Sequence, residues 1–274
     1  VSLKLLFSVM LFLCAISNNA IAQKESLEQV DKKVAGYLKK INYWAYEFRD
    51  TTGVIISSDS VDASNVRLIS YFKKSLLSNP KTITFPFDSS IKNGLHIFRS
   101  EDGNLTFYCW NTGSGGTWHF YDDIVQYKTS KGVKPEVLND ALDGSDPPNC
   151  GEFYDTLFTI KAKSDRTIYL LKTFNQLWTS EDITSIDAYE IKQNKLVRVK
   201  AFKTAKKSVS SISYEYDYFS TYDDKTMKEK YYIRLSPDKQ MLYIPVVIGT
   251  KVTNRNLVYR FNGKQFVYDK NAKN

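Results

Sequence analysis

The reactive side chains of this 274-residue chain include two histidines, His96 and His119, and three cysteines, Cys14, Cys109 and Cys150. His119 follows Cys109 closely, and Asp122 or Asp123 could orient its ring, as a thiol–imidazole nucleophile requires. Cys109 sits in the run F-Y-C-W, however, with a bulky ring on each side, and that context favours a structural thiol. His96, two residues before Phe98, reads as a hydrogen-bonded core or edge residue. No C-x-x-C, H-E-x-x-H or other close ligand pair occurs, so no metal site is expected. There is no G-x-S-x-G elbow, phosphate loop or dinucleotide fingerprint either, so no cofactor is expected and no catalytic residue is assigned. Asp140, Asp143, Asp146 and Glu152 crowd the segment that ends D-G-S-D-P-P-N-C-G-E. Calcium favours such oxygen-rich loops, but the D-x-D-x-D-G register is absent and the segment reads as a solvated acidic loop. Two carboxylates at a suitable separation would serve a glycosidase, and Asp140 to Asp155 is the region to supply them.

Binding chemistry has more candidates. Gly113-Ser114-Gly115-Gly116 could aim several N–H groups at an anion. Glycine is also what a turn with positive φ needs, and no Lys, Ser or Thr follows at phosphate-loop spacing. The chain holds 19 tyrosines, and in Y-E-Y-D-Y-F the rings of Tyr214, Tyr216 and Tyr218 alternate with acids and are expected to face outward. With Trp118 and Gly115 they make the candidate ligand-binding set, since exposed rings stack on sugars and anchor protein partners. Ordinary cross-strand pairing would use the same rings. The net charge of +8 favours acidic partners, but it is dispersed into short pairs such as Lys39-Lys40, Lys73-Lys74 and Lys206-Lys207, so no nucleic acid partner is expected.

The elements that would position these residues fall into two sections. Residues 23–80 read as helical and packed on a β domain at 81–270, with 271–274 a tail. Ser26 and Gln29 form a capping box ahead of Leu27, Val30, Val34, Tyr37, Leu38 and Ile41 on one helical face. Trp44, Tyr46 and Phe48 alternate ahead of Gly53 to Ile56, which suggests a short hairpin, and Ser57 to Asn65 reads as a loop. Val66, Ile69, Phe72, Leu76 and Leu77 mark a second helix stopped at Asn79-Pro80. Strands follow, with Ile83 to Asp88 and Ile212 to Asp217 preceding the first and third of three similar hairpins, His96–Asn111, Phe158–Thr173 and Tyr232–Val247. Asp102-Gly103 marks a type I′ turn in the first, where both residues would take positive φ. In the strand after it, Leu105, Phe107 and Cys109 point to one face and Thr106, Tyr108 and Trp110 to the other, so it reads as central and covered on both sides. Lys131 to Gly151 breaks the rhythm. The expected fold is mainly β: antiparallel four-stranded meanders, propeller-like or stacked, with a β-sandwich as the alternative.

The run S-x-D-G-x-L-x-x-Y-x-W-x-T-x-x-G-G-T, here Ser100 to Thr117, resembles a signature of an uncharacterised family of secreted Bacteroidota-type proteins of unknown function. Similar chains carry N-P-x-T-x-x-[YF]-x-F, here Asn79 to Phe87, and an I-P-V-V…V-T-N-R…Y-x-F-x-G-x-x-F ending, here Ile244 to Phe266. The resemblance implies a secreted envelope protein and assigns no activity.

Residues 1–22 themselves read as a secretory signal: Lys4, the apolar run Leu5 to Ile16, and an A-x-A site ending at Ala22. The run is too short to span a bilayer, and Leu13 is too bulky for a lipobox at Cys14, so soluble export without a transmembrane segment is expected. In an oxidising compartment Cys109 and Cys150 would pair as a disulfide or stay two separate buried thiols. These readings point to a periplasmic or secreted, non-enzymatic binding or scaffold protein of the cell envelope, with a glycan or another envelope protein as its partner. A hydrolase acting on glycan or peptide is the alternative.

Overall fold

The computed structural model describes residues 25–48, 58–114, 119–139, 152–177, 180–219 and 232–272. The first helix, α1 (Leu27–Asn42), starts with the expected box: the Gln29 N–H donates to the Ser26 hydroxyl, and the Ser26 N–H donates to the Gln29 side chain. Two otherwise orphaned donors are thereby satisfied. Val30, Val34, Leu38 and Ile41 are its buried face. The hairpin expected after it is absent where the chain is described. Tyr43–Glu47 is a π-helical turn that extends α1, and three rings over five residues fit one wide turn as well as a strand. Gly53 to Ile56 lies outside the described residues.

The second helix, α2 (Ser58–Ser78), takes in the stretch from Ser58 to Asn65 expected as a loop. A buried contact accounts for this. Asn65 accepts from Trp110 Nε1 at 3.1 Å and donates to the Thr112 carbonyl at 2.8 Å, so a polar residue is satisfied inside the core. Val66 and Leu77, expected on the packed face, are exposed. The strand expected at Ile83 to Asp88 is instead a 3-10 turn (Pro80–Thr84) followed by a short helix, α3 (Asp88–Ile91). Side chains take the carbonyls that a strand partner would use: Thr106 donates to the Ile83 oxygen and Tyr108 to the Thr82 oxygen, each at 3.0 Å.

Three sheets follow. Sheet 1 is the meander β1 (His96–Arg99), β2 (Leu105–Asn111), β3 (Tyr121–Thr129) and β4 (Gly132–Asn139), so β4 occupies part of the stretch read as a break. Sheet 2 contains β5 (Phe153–Lys161), β6 (Thr167–Gln176), β7 (Glu181–Lys192), β8 (Lys195–Arg198) and β11 (Ser211–Asp217), in the order β11-β7-β6-β5 with β8 also on β7. Sheet 3 contains β9 (Phe202–Lys203), β10 (Ser208–Val209), β12 (Arg234–Leu235), β13 (Met241–Ile248), β14 (Lys251–Phe261) and β15 (Phe266–Tyr268), in the order β10-β9-β15-β14-β13-β12. Pairing is antiparallel except between β9 and β15.

The layers stack through three cores. Val34, Leu38, Leu68 and Phe72 of the helices pack on Tyr108, Trp110 and Ile124. The opposite face of sheet 1, with Leu105, Phe107 and Val125, packs on Tyr154, Leu157, Tyr169 and Leu171 of sheet 2. The other face of sheet 2, with Ile168, Leu170 and Ile186, packs on Phe202, Leu242 and Phe266 of sheet 3. Strand β2 is covered on both faces, as its double alternation requires, and each sheet is an open ladder.

Tight turns gather at one end of the stack. The turn before β2 is not type I′, because only Gly103 has positive φ, at 65°. Ser100 organises it instead: its hydroxyl donates to Asp102 at 2.7 Å and accepts from the Leu105 N–H at 2.9 Å. Ser236 builds the same turn in sheet 3, donating to Asp238 and accepting from the Met241 N–H at 2.9 Å, with Lys239 in place of Gly103. The first and third of the similar hairpins thus share one turn. The second uses Ser164 and Asp165, both at positive φ.

Candidate functional site

Near the edge strands β5 and β12, sheets 2 and 3 leave a cleft of about 650 Å³ lined by Thr156, Phe158, Lys172, Tyr232, Arg234 and Tyr243. Strand register builds one wall, since Arg234 is the direct cross-strand partner of Tyr243, and the guanidinium carbon lies 5.0 Å from that ring's centroid. On the other wall, Lys172 Nζ lies 5.6 Å from the Tyr232 centroid and pairs with Asp155. A cation held over a ring is attracted by the ring's quadrupole, so both charges are fixed before any ligand arrives. Arg234 makes no ion pair among the described residues, and its Nε is buried without a hydrogen bond.

The predicted tyrosines meet this region from the side. Tyr214 and Tyr216 do not face outward. Tyr216 is 3% exposed, the two rings are 5.8 Å apart, and they pack against Val247 and Val252 of sheet 3. The alternation was correct in period and wrong in side: Glu215 takes the solvent face of β11 because sheet 3 covers the other. The Tyr216 hydroxyl donates to the Asp182 carboxyl and shares a hydrogen bond with the Tyr232 hydroxyl. Burial pushes the Asp182 carboxyl up to about 6 and raises the Tyr216 and Tyr232 hydroxyls above the usual phenol range. Tyr218, 38% exposed, and Phe219 stay at the surface. Trp118 and Gly115 lie outside the described residues. At neighbouring Gly113, φ is 74° and a Cβ would stand 2.7 Å from that of Ala45, so the loop's first glycine serves a turn packed on the π turn.

The interface of sheets 1 and 2 holds the other candidates. Asp123 is fully buried, accepts from Asn139 Nδ2 at 2.6 Å and bonds the Tyr154 hydroxyl, and burial pushes its carboxyl up to about 7. Its cross-strand partner Cys109 is a free, buried thiol that burial pushes well above the usual range, the reverse of what a nucleophile needs. His119 Nδ1 lies 3.4 Å from Asn111 Nδ2, and His96 packs edge-on to Phe153, so neither is seen in a triad. Cys150 lies outside the described residues. Glu152 and Asp187 share the Ser185 hydroxyl, which lies 3.3 Å from Glu152 Oε2 and 3.4 Å from Asp187 Oδ2. Burial raises both carboxyls, and Arg198 stands 3.5 Å from Asp187. Among the described residues no group of three or more His, Cys, Asp or Glu is arranged to hold a metal ion. No helix there is long and apolar enough to cross a membrane.

Phe158, Lys172, Tyr232, Arg234 and Tyr243 were missed as site residues. The available signal was the R-L pair before Ser236 and Pro237, a short strand that sets Arg234 opposite Tyr243. Compared with known proteins, the chain matches no family model, no curated protein and no solved structure.

Proposed function

We propose that this chain is an exported, non-enzymatic binding or scaffold module of the bacterial cell envelope, with the cleft between sheets 2 and 3 as its binding site. The observation that carries this reading is the cleft's wall chemistry: Phe158, Tyr232 and Tyr243 supply flat apolar surface, and Lys172 and Arg234 are charges already locked in place. The carboxyls near it are spoken for, Asp155 by Lys172 and Asp182 by Tyr216. A preformed concave surface with a few convergent polar groups is what small-ligand sites share. Export rests on the Lys4 to Ala22 signal pattern and on the resemblance carried by Ser100 to Thr117.

The test is retention of the purified protein on cell-envelope material, compared with a Tyr232→Ala/Tyr243→Ala variant of unchanged melting temperature. Retention by the parent and its loss in the variant is the expected result; equal retention overturns the site. The hydrolase reading draws on one observation, the Glu152–Ser185–Asp187 contact. It predicts cleavage of envelope glycan or peptide that Glu152→Gln abolishes.

A further inference from the structure

We infer that the ligand of the cleft between sheets 2 and 3 is an anionic saccharide whose acid group is read by Arg234, an inference that rests on the binding reading above. The charge argument comes from the contrast among arginines. Arg166 faces Glu190, Arg198 faces Asp187 and Arg260 faces Asp269, while Arg99 donates to the carbonyls of Ile83 and Phe85. Arg67 and Arg255 are exposed to solvent, so among the described residues Arg234 alone lies in the cleft with neither a carboxylate nor a carbonyl on its guanidinium. A partly buried guanidinium without an anion is costly, and its planar fork matches a carboxylate, sulfate or phosphate. Stacking on Tyr243 holds that fork in one plane, so little freedom is lost when an anion arrives.

The saccharide argument comes from the walls. Tyr232 and Tyr243 present rings and hydroxyls together, and Thr156 and Ser236 add further hydroxyls to the lining, a mixture suited to a sugar's apolar face and its OH groups. An acidic peptide is the competing occupant and would need an edge to pair with. At the cleft, strand β12 offers only Arg234 and Leu235 before Pro237. That edge is too short to give an extended peptide a continuous run of hydrogen bonds.

Calorimetric titration of the purified chain tests this with four probes: trigalacturonate, its methyl ester, a sulfated trisaccharide and a glutamate-rich peptide. The expected result is binding of at least one acidic saccharide, tenfold or more weaker for the methyl ester where trigalacturonate is the ligand. Arg234→Gln should cost the acidic saccharide a similar factor while melting within about 2 °C of the parent, the small change usual for a substitution outside the core. Preference for the sulfated probe keeps the inference and identifies the acid as sulfate. Where the sulfated probe is not preferred, equal affinity for trigalacturonate and its ester overturns the anion inference and leaves the binding reading standing. Binding of the peptide alone, or of no probe, overturns the inference outright, and retention on envelope material then decides the broader reading separately.

Discussion

Between sheets 1 and 2, Asp123 is buried against Tyr154 and Asn139; between sheets 2 and 3, Asp182 is buried against Tyr216 and Tyr232. Each interface thus sets a carboxyl with a raised pKa among tyrosine hydroxyls. Around Asp123 the rings close up: Phe107 packs 5.3 Å from Tyr154, Phe98 lies 6.3 Å from Tyr154, and Phe107 is fully buried. Around Asp182 the rings lead outward through Tyr232, 37% exposed, into the cleft beside Arg234 and Tyr243. A perturbed carboxyl is therefore a weak guide to function by itself. In the first setting it is a polar group sealed in a core, and in the second it holds Tyr216, whose hydroxyl bonds the tyrosine that lines an open surface.

Truncating a ring should separate the two interfaces most strongly. Phe107→Ala is expected to cost about 3–5 kcal/mol in denaturant unfolding, the range for removing a buried aromatic, whereas Tyr232→Ala should cost about 1 kcal/mol or less because its ring is part-exposed. Similar losses would mean that the second interface is as closed as the first.

The buried acid gives the next effect, and its sign is fixed. Asp123 stays protonated in the fold up to about pH 7, while in the unfolded chain a carboxyl ionises near 4. The fold therefore binds the extra proton between those values, and stability falls as pH rises from about 4 to 7. Asp123→Asn should reduce this slope, leaving the part that Asp182 contributes, and raise stability at pH 8 by about 1–3 kcal/mol, an order-of-magnitude range for a shift of this size. Melting curves at pH 5 and 8 check it; a slope unchanged in the variant would place the proton elsewhere.

Smaller still are the two serine turns. Ser100→Ala and Ser236→Ala each remove a hydroxyl that organises a hairpin, and each should cost about 1 kcal/mol, the net value of such hydrogen bonds. Ser100 should cost the more, because its hydroxyl also accepts from the Asn104 N–H and its turn leads into the buried β2. Unfolding midpoints in urea measure both. Arg234→Gln sits at the bottom of the series, within about 0.5 kcal/mol of the parent.

How much of this was legible in the residues depends on whether the signal was local. The Ser26–Gln29 box and the two-sided alternation of Leu105 to Trp110 were readable because neighbours in sequence decide them. The helical state of Ser58 to Asn65 was not, since Trp110 and Thr112, far along the chain, reward Asn65 for it. The stretch from Ile83 to Asp88 reads as a strand by composition, yet the Ile83 and Phe85 carbonyls are taken by Thr106 and Arg99. For Tyr214 and Tyr216, period two fixed which residues share a face, and only the position of sheet 3 fixed which face is inside. The cleft itself joins β5, β6, β12 and β13, a juxtaposition no single window contains.

Hydrogen–deuterium exchange with and without the tightest-binding acidic saccharide bears most directly on the claim that the open interface is the site. Exchange should slow in β12, β13 and β5, around Arg234, Tyr243 and Phe158, and stay unchanged in β2 and β3. Slowing confined to Leu105–Asn111 and Tyr121–Thr129 would contradict the account and place the ligand at the interface described here as closed.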